Sequence, residues 1–151
     1  MTSSAEIFPT SSHKDFMRLA MRESRKAIPA CLPNPPVGCV LVRSGQVVAV
    51  GHTQSPGQHH AEAAALAAYA GPLHDVTAYV TLEPCSFHGR TPSCAQALIR
   101  RGISRVVVAL KDPDPRNDGL GLNMLSDAGV EVVEGICAAE VDAFLGRYLL
   151  R

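Results

Sequence analysis

The chain has no tryptophan, only 5% aromatic residues and no net charge, its 14 Lys and Arg being matched by 14 Asp and Glu. A surface that grips nucleic acid needs a basic stripe interleaved with stacking rings, so these shortages argue against that class of partner. No apolar run approaches the roughly 18 residues of a membrane span, and the N-terminus lacks a charged segment followed by an apolar stretch. Neither membrane insertion nor secretion is therefore expected, and the sequence places the protein in the cytoplasm. Cysteine is scarce and odd in number: Cys31, Cys39, Cys85, Cys94 and Cys137. Without a small-scaffold spacing, and in a reducing compartment, they read as thiols or metal ligands rather than disulfides.

What is present suits one domain. A length of 151 residues with 46% hydrophobic content is enough to bury a real core. Residues 1–12 are polar and aperiodic and read as a flexible arm, leaving 13–151 as a single domain. Phe16, Leu19, Ala20 and Ala27 fall at helical spacing, predicting a helix that stops before Pro29. The loop "CLPNPPVG" is stiffened by its prolines and presents Asn34, a side chain that both donates and accepts. "VGCVLV" and "QVVAVG" flank Ser44-Gly45 and predict a hairpin. A helix over 60–70, the strand "TAYVTLE", a helix over 92–101 and the strand "RVVVAL" follow. Beyond the Pro/Asp/Gly-rich loop "KDPDPRNDGLG" come a short helix over 122–128, the strand "VEVVEG" and a helix over 138–149. Strands alternating with helices after a hairpin predict an α/β domain with one mixed sheet.

The segment "HAEAAALAAYA" is an Ala-rich helix former that opens with His60 and Glu62. "TAYVTLE" runs into "PCSFHGRTPSC", so Cys85 falls just past the C-terminal end of a strand, where α/β proteins place ligand sites. Cys94 falls on the first turn of the next helix, whose dipole and free N–H groups favour a thiolate. One imidazole and two thiolates, His60, Cys85 and Cys94, make a three-ligand set with one position left for water, the pattern of a catalytic Zn2+ rather than a structural one. Glu62, on the same helical turn as His60, is placed to move protons to and from a water that the metal acidifies. His-x-Glu followed by Pro-Cys and a second Cys is the pattern of zinc deaminases acting on nucleobases, although the usual two-residue cysteine gap is eight residues here.

At these residues the chain resembles the cytidine-deaminase superfamily, and "TLEPCSFHGRTPSC" resembles its riboflavin-pathway pyrimidine deaminases. "NPPVGCVLV", "GHTQSPGQHHAE", "LIRRGISRVVVAL" and "DPDP" with the following glycines extend the likeness from about Phe16 to Gly135. The resemblance implies a three-layer α/β/α sandwich around about five strands. It also implies zinc on His60, Cys85 and Cys94, Glu62 as general acid and base, and release of ammonia from a diaminohydroxyphosphoribosylaminopyrimidine. Asn34 would bond the ring, Arg90 the phosphate, and His52 and Asp112 would contact substrate, with Phe87 or His88 packing on the ring face. Exposed strand-end backbone at Glu83 and Pro84 would face the reacting groups. A homodimer is implied too, and the chain's end after one deaminase-sized unit implies a separate reductase.

Three departures from the family pattern bear on the substrate arm. Phe87 stands where a substrate-contacting His is expected, with His88 following it. Asp114 replaces an Asn that helps hold the arm, adding a carboxylate near a phosphate. Asn117 and Asp118 replace a small apolar pair. An aminopyrimidine, aminopurine or aminotriazine without a ribose phosphate is therefore a rival substrate, and a non-catalytic zinc-stabilised binding module is the rival of another class. Among the remaining residues, Cys39 reads as core, His59 and His13 as exposed polar side chains, and Arg101 as a helix-end cation.

Overall fold

A computed structural model describes residues 10–87 and 92–149. Helix α1 (Thr10–Arg25) leads into the proline loop, then β1 (Gly38–Arg43), β2 (Gln46–His52), α2 (Ala61–Ala67), β3 (Val76–Leu82) and α3 (Cys94–Arg100). The chain continues through β4 (Arg105–Leu110), α4 (Leu120–Asp127), β5 (Glu131–Val133) and α5 (Ala138–Leu145), ending in a 3-10 turn over Gly146–Tyr148. The sheet order is β2-β1-β3-β4-β5. β1 is antiparallel to both β2 and β3, whereas β3, β4 and β5 run parallel. The expected hairpin forms because Ser44 and Gly45 both adopt positive φ, the geometry of a tight turn that matches strand twist.

Register fixes the layers. Gly38 pairs with His52 and Val40 with Tyr79, and Tyr79 packs against Phe16 of α1. The neighbouring pairs Cys39–Gly51 and Cys39–Val80 face the opposite way, where a Cβ at Gly51 would strike the Ala61 carbonyl of α2. Arg18 of α1 bonds Glu140 of α5, and Arg101 at the end of α3 donates to the Leu66, Tyr69 and Gly71 carbonyls after α2. Helices α1 and α5 thus cover one face and α2 and α3 the other, with α4 against α3. The core is the fully buried sheet interior, Val40, Leu41, Tyr79, Val80 and Val106 to Val108 among it.

Several boundaries differ from the sequence expectation. α1 begins at Thr10, so residues 10–12 are helix and not arm, while 1–9 lie outside the described residues. α2 stops at Ala67 although alanines continue, and Arg101 takes the Leu66 carbonyl of its last turn and the Tyr69 and Gly71 carbonyls beyond it into tertiary hydrogen bonds. The last helix closes at Leu145 and tightens into the 3-10 turn. His13 is not a solvated surface residue: its Nδ1 lies 2.7 Å from the hydroxyl of buried Tyr79.

Candidate active site

His60 caps the start of α2 with extended backbone (φ −72°, ψ 172°) and makes no capping bond with its side chain. The ring is thereby free to turn toward the strand end after β3. Its Nδ1 lies 4.0 Å from Cys85 Sγ and 3.5 Å from Cys94 Sγ, and the three donor atoms all fall within 4.8 Å of one another. Tetrahedral zinc with ordinary Zn–S and Zn–N bonds has S···N edges of about 3.6 Å. The donor set and its spacing therefore fit the ion. Ser93 caps α3 by accepting from the Gln96 N–H, which starts the helix so that the Cys94 N–H donates to Cys85 Sγ (3.3 Å) and the Ala95 N–H to the Cys85 carbonyl.

The electrostatics favour an ionised sulfur at Cys85. The Cys94 thiol, and then the His60 ring, hold Cys85 down to about 4, far below an ordinary thiol. Cys94 moves in the opposite direction because it shares its proton with the Cys85 thiolate, and burial adds to the effect. Glu62 is 4% exposed. Burial pushes its carboxyl up to about 7, and the nearby Cys85 thiolate adds to the rise. A carboxyl held near neutrality is suited to both taking and giving a proton.

These groups open into a cavity of about 420 Å³, within the range of small-molecule sites. Its wall includes Asn34, Thr53, His60, Glu62, Cys85, Phe87, Asp112, Asp114 and Arg116. The Asn34 carboxamide has no hydrogen-bond partner among the described residues, although its backbone N–H is fixed to the Cys31 carbonyl. Asp112 accepts from the Asp114 N–H and from Asn117 Nδ2, and burial raises its pKa.

His52 departs from expectation. It lies on the α1 face of β2, with Nδ1 2.9 Å from Glu23 Oε2, and Thr53 rather than His52 lines the cavity. His88 and Arg90 lie outside the described residues.

The sequence reading gave no role to the side chains of Glu83 and Asn117. Glu83 accepts three backbone N–H groups, those of Asp112, Gly119 and Leu122, each at 3.0 Å. Fully buried Asn117 grips both peptide units that flank Cys85: its Nδ2 donates to the Pro84 carbonyl and its Oδ1 accepts the Ser86 N–H. That oxygen also accepts the Gly121 N–H. The Pro84 carbonyl is thus committed to Asn117 rather than waiting for substrate. Tyr148 and Leu149 reach the cavity from the C-terminal turn, and no sequence signal marks them. Replacing Asn117 with Ala leaves several buried polar groups unpaired, and urea melts should show a loss of about 3 kcal/mol. A loss below about 0.5 kcal/mol, the size of an ordinary surface substitution, would contradict the clasp.

Comparison with known proteins agrees with this geometry. The sequence model of the "cytidine and deoxycytidylate deaminase zinc-binding region" matches residues 10–110. The riboflavin biosynthesis protein RibD of Actinobacillus pleuropneumoniae is 46% identical over 136 residues, covering 90% of this chain and 36% of that protein. Crystal form 2 of Acinetobacter baumannii RibD superposes with a TM-score of 0.87 at 39% identity, over 93% of this chain and 40% of the other. A Thermotoga maritima structure described as a diaminohydroxyphosphoribosylaminopyrimidine deaminase/5-amino-6-(5-phosphoribosylamino)uracil reductase gives 0.87 at 35% identity, over 92% and 40%. The chain thus spans well under half the length of these relatives. Fold, donor geometry and sequence agree, and the protein belongs to the cytidine and deoxycytidylate deaminase family, zinc-binding enzymes that hydrolyse the bond between a ring carbon and its amino group.

Proposed function

We propose that the protein deaminates an amino-substituted pyrimidine carrying a ribose phosphate, the substrate class named for its Thermotoga maritima relative. The observation that carries the chemistry is the buried Glu62 carboxyl, lining one cavity with His60 and Cys85, two members of the His60, Cys85 and Cys94 donor set. Those three side chains would hold the zinc. Zinc bound there supplies an acidified water as the nucleophile.

Glu62 takes the proton from that water as its oxygen bonds to the amino-bearing ring carbon, and passes it to the adjacent ring nitrogen. It then takes the remaining proton from the new ring hydroxyl and delivers it to the amine, as the hydroxyl becomes a carbonyl and the C–N bond breaks. Water is consumed, the ring C–NH2 becomes C=O, and ammonia leaves. Asn34 fixes the ring through its unpartnered carboxamide, and Asp112, oriented by Asn117, meets the arm. Arg90 and His88 add to the arm and ring contacts, and Phe87 packs on the ring face. The reading includes a cytoplasmic homodimer whose product passes to a reductase activity.

One observation favours the rival ring without a phosphate: among the described wall residues, carboxylates outnumber cations, with Glu62, Glu83, Asp112 and Asp114 against Arg116. Ammonia release from the phosphorylated diaminopyrimidine, beside unphosphorylated aminopyrimidines, aminopurines and aminotriazines, decides between them. Turnover of the phosphorylated compound at least tenfold above the rest supports the main reading. Turnover confined to the unphosphorylated compounds transfers the same chemistry to another ring.

A further inference from the structure

The departures at Phe87 and Asp114 converge on one side chain. Arg116 grips Asp114 as a fork: Nε lies 3.1 Å from Oδ1 and 3.2 Å from Oδ2, and Nη2 lies 2.7 Å from Oδ2. The Arg116 backbone N–H also donates to Oδ1, at 3.0 Å. The guanidinium carbon sits 4.8 Å from the centre of the Phe87 ring. All three residues line the cavity that holds Glu62 and the metal-ligand set.

This arrangement accounts for both departures together. An Asn at 114 would offer the guanidinium one acceptor and one repelling amide donor, whereas Asp114 accepts the fork with both oxygens. A His at 87 would titrate and repel a cation above it, whereas the Phe87 ring presents a negative face to it. The extra carboxylate is therefore neutralised by its own partner rather than facing the ligand as a bare charge. Glu83 is likewise engaged by three backbone N–H groups, which fix its carboxylate in place.

The fork leaves the Nη1 hydrogens and one Nη2 hydrogen of Arg116 unused by Asp114. The side chain, which lines the cavity, remains 66% exposed. A guanidinium held on one edge by a carboxylate and lying over an aromatic ring is partly oriented before a ligand arrives, which suits it to a tetrahedral oxyanion.

The geometry points to Arg116 as the anchor for the phosphate of the substrate arm, with Asp114 and Phe87 as the residues that hold its plane. This rests on the reading that the substrate carries such an arm. Arg116 then sets specificity between phosphorylated and unphosphorylated substrates, and leaves bond cleavage to Glu62.

The test uses the zinc-loaded full chain and compares kcat/KM for the phosphorylated diaminopyrimidine with that for its dephosphorylated ribosyl counterpart. Arg116→Ala should lower the phosphorylated-to-dephosphorylated ratio by about 10- to 100-fold, the range of a charge-assisted hydrogen bond, through KM rather than kcat. Arg116→Lys keeps the charge without the fork and should recover only part of the ratio. Asp114→Asn keeps the guanidinium but releases it, and should lower the ratio severalfold. A ratio equal in wild type and Arg116→Ala overturns the assignment. Should wild type turn over neither compound, the substrate reading fails on its own, and calorimetry with ribose 5-phosphate still decides the inference. Tighter binding to wild type than to Arg116→Ala supports the anchor, and equal or absent binding overturns it.

Discussion

Glu62→Gln should retain a full complement of zinc and release ammonia about 10²- to 10⁴-fold more slowly, the usual contribution of a positioned acid–base group. The substitution keeps the shape of a side chain that is almost wholly buried, so packing is preserved. It removes only the capacity to take a proton from water and return it to ring nitrogen and amine. Burial already disfavours the ionised carboxylate, raising Glu62 to about 7, so the neutral amide should cost the metal-free fold little. Steady-state ammonia assays paired with zinc analysis of the same preparation separate the outcomes. A kcat within tenfold of wild type would assign the proton transfers elsewhere. Loss of zinc together with activity would make Glu62 a part of the metal site instead of its proton carrier.

Cys94→Ala should abolish tight zinc binding. It removes a buried sulfur that sits 3.5 Å from His60 Nδ1 and helps to hold Cys85 as a thiolate. The two remaining protein ligands are too few for a stable tetrahedral site. Wild type in zinc at a thousand times Kd gains about 4 kcal/mol of stability by mass action, and the variant should forfeit that gain. Thermal melts with and without chelator provide the check. The wild-type melting temperature should fall on chelation to a value that the variant already shows and that added zinc does not raise. A variant that still rises with zinc would contradict the three-ligand account.

The candidate metal-ligand set was legible in sequence because each member sits at the end of a locally determined element. His60 opens an alanine helix, Cys85 follows a β-branched strand, and Cys94 follows a capping Ser93. The mixed sheet of five strands also followed from a hairpin turn and alternating elements, whereas the order of the strands came from the fold itself. The side-chain directions that tertiary packing decides were not legible. Whether His52 or Thr53 faces the cavity depends on strand parity and on Glu23, which lies 29 residues earlier on α1. Asn117 read only as a replaced apolar residue, since its partners Pro84 and Ser86 lie 33 and 31 residues away and nothing local calls for a carboxamide there. Asp114 looked unfavourable in isolation because the fork from Arg116 and the ring of Phe87 become neighbours only when the 112–119 loop folds over the strand end, where Glu83 pins it. Local chemistry marked the reacting centre, and long-range contacts set the arm region.

The central claim is that His60, Cys85 and Cys94 hold one zinc ion with a fourth position left for water. X-ray absorption at the zinc edge on the stoichiometrically loaded protein tests it most directly. The account predicts two sulfur ligands near 2.3 Å and two lighter ligands, one nitrogen and one oxygen, near 2.0–2.1 Å. A shell of three or four sulfurs, or of four protein donors with no exchangeable oxygen, would contradict it and make the zinc a structural tie.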